Sequence, residues 1–329
     1  MSIPNPPGVV GVTWRPATEA DAEGLATLVN MVGEADSTPE RWSPETMLHL
    51  VLSSPHADLE RKTLLGFTAD GTVVAQAIIR LQPSDAIEQR AYISTGVAPD
   101  WRHRGLEDFV ADWGVAVAES LLEATVSDLP KYLSRFVYTS EVDEIERFER
   151  RGFHRARYFW EMERPLGDEQ PGADPDGTAI VPWDESHDEP SRLVSNAAFA
   201  DHWGSQPISD EDWMHDKIGT PRFRRDLSFC ALGDREIVGY SHSEVYPEDW
   251  DAAGRTEGWI GDLAVLRDWR KRGIATSLLR RSFAAMEAAG LDYAMIGVDS
   301  ESPTRAQRLY EAVGFRTKHT SLVLERRVG

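Results

Sequence analysis

One pattern occurs twice in this chain and limits what it can fold into more than any other feature. Trp101-Arg102-His103-Arg104-Gly105 and Trp269-Arg270-Lys271-Arg272-Gly273 each follow an apolar, strand-like run and precede a long helical pattern. Gly152-Phe153 and Gly314-Phe315 then each close a shorter helical pattern. Gly105 and Gly273 are 168 residues apart, Gly152 and Gly314 are 162 apart, and so near-constant an offset is the mark of a duplicated unit. In a chain of 329 residues, each copy is long enough to bury its own core.

Hydrophobic periodicity fills in the rest of each copy. In the first, a short strand at 12–15 leads to a helix that Thr18 can cap, with Leu25, Leu28 and Val29 on its apolar face. A helix at 44–52 follows, then strands at 63–67 and 72–81 around the hairpin turn Ala69-Asp70-Gly71-Thr72. A strand at 91–97, a helix at 108–123, a strand at 132–138, a helix at 142–150 and a strand at 157–162 complete it. The second copy reads as a strand at 178–181, helices at 190–199 and 210–217, and a hairpin of 227–232 and 235–245 around Gly233-Asp234. A strand at 259–265, a helix at 275–289, a strand at 293–298, a helix at 305–313 and closing strands at 315–324 follow. The fold class is therefore α/β in the α+β sense, two tandem domains of strands and helices. Their expected bounds are 12–164 and 178–329, after a flexible lead-in at 1–11 and across a polar, breaker-rich linker at 165–177.

Composition narrows the function classes. At 41% hydrophobic and 27% charged, with no apolar run long enough to cross a bilayer, the chain reads as soluble and without a membrane partner. A formal net charge of -20 argues against nucleic acid, whose phosphates it would repel. The first residues lack the basic-then-apolar order of a secretion signal, so a cytoplasmic protein is expected. Cys230, the one cysteine, excludes an internal disulfide and sits in a strand-like run as a small buried hydrophobe. No metal is expected, and the assembly is expected to be a monomer or a homodimer.

The turn at Gly273 is built to hold an anion. Gly273 can adopt backbone angles closed to other residues, small Ala275 lets a bulky group approach, and the first helical N–H groups have no partner inside the helix. With the helix dipole and Arg270, Lys271 and Arg272 nearby, Gly273 to Thr276 form a seat for a pyrophosphate.

Arg270, Gly273 and Ala275, followed by Leu309, Tyr310, Gly314 and Phe315 at the end of the last helix, resemble the two signatures of the GNAT superfamily of acyl-CoA-dependent N-acyltransferases. The whole chain looks like the tandem architecture of mycothiol synthase-like members, in which the C-terminal copy alone is active. The resemblance implies two GNAT folds, each a mixed, mostly antiparallel twisted sheet flanked by helices. It also implies acetyl-CoA as co-substrate and direct attack by the amine of a small molecule. Cofactor contacts would then come from Leu263, Ala264, Val265, Arg270, Lys271, Arg272, Gly273, Ile274, Ala275, Thr276 and Ser302, the last standing where the family often has an asparagine.

Tyr310 is the implied general acid. For the base, Glu257, Asp262 and Glu244 are candidates on strands, with Glu257 ranked first. Simple alternation puts Glu257, Trp259 and Gly261 on one face and Asp262 on the other unless a bulge intervenes. Members with mycothiol chemistry carry a carboxylate on the fourth strand; here Trp259 stands six residues before Val265, with Glu257 two residues earlier. Phe199, His202, Trp203 and Tyr246 are expected at the acceptor pocket. In the first copy Glu107 replaces Ala275 and Phe148 replaces Tyr310, so that copy is expected to be structural. A different class of function, a noncatalytic acyl-CoA-binding or scaffold protein, is the alternative.

Overall fold

In chain order the described strands are β1 (Thr13–Arg15), β2 (Thr63–Phe67), β3 (Val73–Leu81), β4 (Gln89–Val97), β5 (Lys131–Tyr138), β6 (His154–Pro165), β7 (Thr178–Pro182), β8 (Phe229–Gly233), β9 (Glu236–Val245), β10 (Glu257–Val265), β11 (Tyr293–Asp299) and β12 (Arg316–Val328). The structure is a computed structural model that describes residues 3–5, 11–82, 86–167, 169–302 and 306–329. Residues 1–2 and 6–10 of the expected lead-in, Asp168 of the expected linker and 303–305 at the expected start of the last helix lie outside the described residues. No described helix is long and apolar enough to cross a membrane.

The chain divides into two units, Met1–Tyr158 with Ser321–Gly329, and Phe159–Thr320. This differs from a cut at 165–177. The expected linker belongs to the second unit, where the Glu169 N–H donates to Glu287 at 2.8 Å and Asp174 pairs with Arg281 at 3.0 Å. The last nine residues belong to the first unit because Ser321 to Val328 pair with Tyr138 to Lys131 of β5.

Within the first unit β1, β2, β3 and β4 pair antiparallel in sequence, and β4 pairs parallel with β5. In the second unit β7, β8, β9 and β10 do the same, and β10 pairs parallel with β11. There β11 pairs antiparallel with the 159–165 part of β6. The duplication extends to a side-chain clasp. Asn30 accepts from Trp42 N–H at 2.8 Å and donates to Trp42 O at 2.9 Å; Asn196 does the same to Ile208 at 2.8 and 3.1 Å. An amide can close a loop by satisfying both backbone groups of one residue, which fixes the loop without a strand.

Each sheet is covered by a long helix on one face. In the second unit Leu278, Leu279, Phe283 and Met286 of helix Ile274–Ala288 are fully buried against Ile260, Leu263 and Ile296. Each such side chain contributes roughly 1.5–3 kcal/mol of burial. The other face carries helix Asp188–Ala198 and helix Asp210–Trp213, which Ser209 caps by accepting the Asp212 N–H at 3.1 Å. A wider helical turn, Met214–Ile218, continues from it and brings Lys217 to the sheet.

Candidate active site

Val265 ends β10, and the chain passes through the short turn Arg267–Trp269 into the long helix. Lys271 at φ 62° and Gly273 at φ 85° are left-handed, a conformation that turns successive N–H groups toward one point. The first intrahelical bond from beyond the cap is Ser277 N–H to Gly273 O at 3.0 Å. The N–H groups of Ile274, Ala275 and Thr276 are thus left without a partner in the helix. No acidic residue stands in this helix's first turn.

The basic side chains do not act as the sequence led us to expect. Arg270 donates backward, to Val265 O at 3.1 Å and Ala198 O at 2.9 Å, and Arg272 donates to Asp268 O at 3.1 Å while lying over Trp269 at 4.5 Å. They brace the turn, and exposed Lys271 lies beside the first amides of the helix. Ile274 is also no contact through its side chain, which is buried in the core.

Beyond the turn lies a gap in the sheet. The β10–β11 ladder runs from Glu257↔Tyr293 to Ile260↔Ile296 and goes no further, while Leu263, Ala264 and Val265 stay paired with Ser241, Tyr240 and Gly239 of β9. Their other backbone edge faces the gap. A side chain on Gly297, across it, would meet nothing within 4 Å. Ser302 follows β11 in a turn, its N–H donating to Asp299 O at 3.0 Å.

A bulge at Gly261, between Ile260↔Ser243 and Asp262↔His242, resets the alternation. Asp262 therefore shares a face with Glu257 and Trp259, the exception that a bulge was expected to make. Tyr310, on helix Ala306–Ala312, lies on the opposite face among Ile260, Phe283 and Phe315. Its hydroxyl makes no hydrogen bond among the described residues. Burial, and then the charge of Asp262, raise its pKa, so the phenol keeps its proton.

On the Asp262 face a cavity of about 350 Å³ is lined by Ser195, Asn196, Phe199, His202, Ser205, Gln206, Ile208, Trp213, Lys217 and Asp262. The Lys217 ammonium sits 2.8 Å from Asp262. Burial works against both charges, but each outweighs it for the other: Lys217 is raised, with Glu244 helping, and Asp262 is held below its usual range, with His242 helping. Of the expected acceptor residues, Phe199 and His202 line this cavity with ring centroids 5.0 Å apart. Trp203 instead lies against Phe159, and Tyr246 packs on Trp259 and donates its hydroxyl to Glu244.

Glu257 is corrected. It is buried at the far end of β10 in an ion cluster, 2.7 Å from Arg255 and 3.2 Å from Lys318, with Glu163 beside them. Its carboxylate is engaged by two cations at contact distance, away from the cavity on the Asp262 face. The sequence placed the stretch from Asn196 to Trp203 on this side but not Lys217 or His242; Gly261 inside an otherwise regular strand pattern was the available signal. Cys230 is buried beside Ser191 at 3.7 Å, and burial pushes its thiol up to about 12.

Residues 195–315 match the acetyltransferase (GNAT) family. A mycothiol acetyltransferase of Thermobispora bispora is 33% identical over 183 residues, covering 54% of this chain and 59% of that relative's length. A mycothiol acetyltransferase of a Parafrankia species is 30% identical over 254 residues, covering 70% of this chain and 74% of the relative. Among solved structures, a GCN5-related N-acetyltransferase from Sphaerobacter thermophilus superposes with a TM-score of 0.72 at 24% identity, covering 96% of this chain and 95% of that one.

Proposed function

The chain belongs to the acetyltransferase (GNAT) family, and from that premise we propose that its second unit transfers an acetyl group from acetyl-CoA to the amine of a small molecule. The observation that carries the reading is the open amide cup before helix Ile274–Ala288, continuous in the chain with a strand edge that faces a gap in the sheet. Tyr310 stands on one face of that sheet and the Lys217–Asp262 pair on the other.

When bound, acetyl-CoA supplies the acyl group as a thioester. The amides of Ile274, Ala275 and Thr276 suit its pyrophosphate, and the free edge of Leu263–Val265 offers N–H and C=O groups to the pantetheine arm. Peptide N–H groups on that edge are also placed to stabilise charge on a carbonyl oxygen. Tyr310 holds a proton on its hydroxyl oxygen for a departing sulfur. Lys217 and Asp262 offer both signs of charge at the floor of the acceptor cavity, with the polar groups of Ser195, Asn196 and Gln206 around it. A small polar amine fits that lining, and the relatives named mycothiol acetyltransferase favour an acceptor of that kind.

The test is release of thiol from acetyl-CoA over a panel of small primary amines. Turnover with at least one amine is expected. Binding of acetyl-CoA without turnover of any amine would replace this reading with the noncatalytic one.

A further inference from the structure

We propose that Glu244 is the proton acceptor for the incoming amine, and that His242, buried behind it, receives that proton in turn; this rests on the acetyltransferase reading above. His242, on β9, is fully buried and stacks on Phe223 with ring centroids 4.5 Å apart and planes 4° apart. Its Nε2 lies 3.0 Å from Lys217 O. A carbonyl can only accept, so Nε2 carries the hydrogen and Nδ1 is left with a lone pair. That Nδ1 makes no hydrogen bond among the described residues and faces Glu244 Oε1 at 3.6 Å.

Two acceptors thus face each other where one proton is lacking. The other carboxylate oxygen, Oε2, is occupied by the Tyr246 hydroxyl, which leaves Oε1 as the open one. Glu244 and His242 pack directly against Gly261 at the bulge, where only a glycine leaves them room. A Cβ placed there would lie 3.1 Å from Glu244 Cδ and 3.2 Å from His242 Nδ1, closer than ordinary contact. Glycine is exposed at that point, so a substrate nitrogen can approach Glu244 where a side chain would block it.

The charged groups facing His242 are Glu244 from its own strand, Asp262 from β10 and Lys217 from the turn Met214–Ile218. Asp262 is taken up by Lys217, which holds it below its usual carboxylate range. Burial, set against the two carboxylates, lowers the His242 pKa and keeps the ring neutral until a proton is delivered. In the step, one N–H bond of the acceptor ammonium breaks as an O–H bond forms at Glu244 Oε1. The O–H bond then gives way to N–H at His242 Nδ1, leaving an imidazolium beside a carboxylate and a free lone pair on the amine. Glu244, partly exposed, later returns the proton to water.

Nitrogen-15 NMR of the full chain with labelled histidine tests the resting arrangement without any substrate. One buried histidine is expected as the Nε2–H tautomer at neutral pH, with an Nδ1 resonance that moves in Glu244→Gln; a hydrogen resident on Nδ1 would overturn the proposal. The second arm compares wild type with His242→Gln in thiol release. At neutral pH the variant is expected to be slower by about 100-fold, with the deficit shrinking roughly tenfold per pH unit as the amine loses its proton unaided. A deficit constant between about pH 6 and about pH 9 would mark His242 as structural only and refute its role. If the wild type releases no thiol with any amine, the acetyltransferase reading fails while the tautomer result still stands or falls on its own.

Discussion

The two units share a backbone and differ in what fills it. Around the basic turn the first unit has His103 at φ 61° and Gly105 at φ 81°, against 62° and 85° for Lys271 and Gly273. Arg102 donates to Val97 O at 3.3 Å as Arg270 does to Val265 O, and Arg104 donates to Asp100 O at 2.9 Å as Arg272 does to Asp268 O. Yet the cup of the first unit is taken: Glu107 accepts the His103 N–H at 2.8 Å. Its strand gap is narrowed by side chains, around a cavity of about 350 Å³ that Thr95, Val97, Arg102, Glu107, Arg135 and Glu144 help to line. Arg135, at the position of Gly297 in the duplication, reaches Thr95 O at 3.4 Å and Glu144 at 3.3 Å, and the Thr95 hydroxyl donates to Glu144 at 2.7 Å. Phe148, at the position of Tyr310, is fully buried against Phe153. The first unit thus keeps the main-chain geometry of the turn while its own carboxylate engages the turn's backbone and its own guanidinium reaches into the gap.

Moving the carboxylate across should break the contrast most severely. Ala275→Glu is expected to weaken CoA binding by more than about 100-fold, since a fixed negative charge beside the pyrophosphate in a partly dry site costs several kcal/mol; calorimetry with CoA measures it, and unchanged affinity would remove the cup from the site. Tyr310→Phe, which installs the residue of the first unit, should cut turnover by about 100-fold with CoA affinity within a few-fold. Steady-state kinetics that left kcat unaltered would take Tyr310 out of the mechanism. Gly261→Ala should lower kcat/KM for the amine by roughly tenfold, the equivalent of about 1.4 kcal/mol of crowding, with CoA binding intact.

Acid should weaken the second unit more gradually. The His242 pKa is depressed on folding, so its neutral form is the one the fold favours. Stability from this group is complete above about pH 6.5 and is lost as pH falls below it toward the folded value, by at most about 1.4 kcal/mol per pH unit. Thermal unfolding over that range should show the decline, and His242→Phe should flatten it. The smallest effect expected is none. Glu107→Ala with Phe148→Tyr should create no second active site, because Arg135 and Glu144 still bridge the gap; acetyl transfer by a chain also carrying Tyr310→Phe would contradict the structural role of the first unit.

Much of this architecture was written in local patterns. β2 at Thr63–Phe67, its hairpin partner β3 and the long helices are where periodicity and turn residues put them, to within two residues at most ends, because each element's preference agrees with its packing. The left-handed turn at Gly273 and the helix start after it were legible for the same reason, being properties of consecutive residues. What escaped was what depends on partners distant in sequence. Arg270 and Arg272 read as free charges, but the carbonyls they reach belong to the folded turn and to Ala198. Glu257 read as a base on a strand, but its neutralising partners, Arg255 and Lys318, meet it only once the sheet forms. Asp262 changed face through a single bulge, and with it the whole acceptor side.

The pairing of Ser321–Val328 with β5 also bears on how this protein is made. A ribosome releases the first unit's other strands early, yet the edge of β5 that awaits those residues stays uncovered while the entire second unit is still being translated. At elongation speeds of about 5–20 residues per second, the interval lasts on the order of ten seconds or more, time in which a nascent strand edge is open to misplaced pairing. Order of synthesis and order of completion are therefore reversed for the two halves, and shortening the chain at its C-terminal strand should harm the half that was synthesised first.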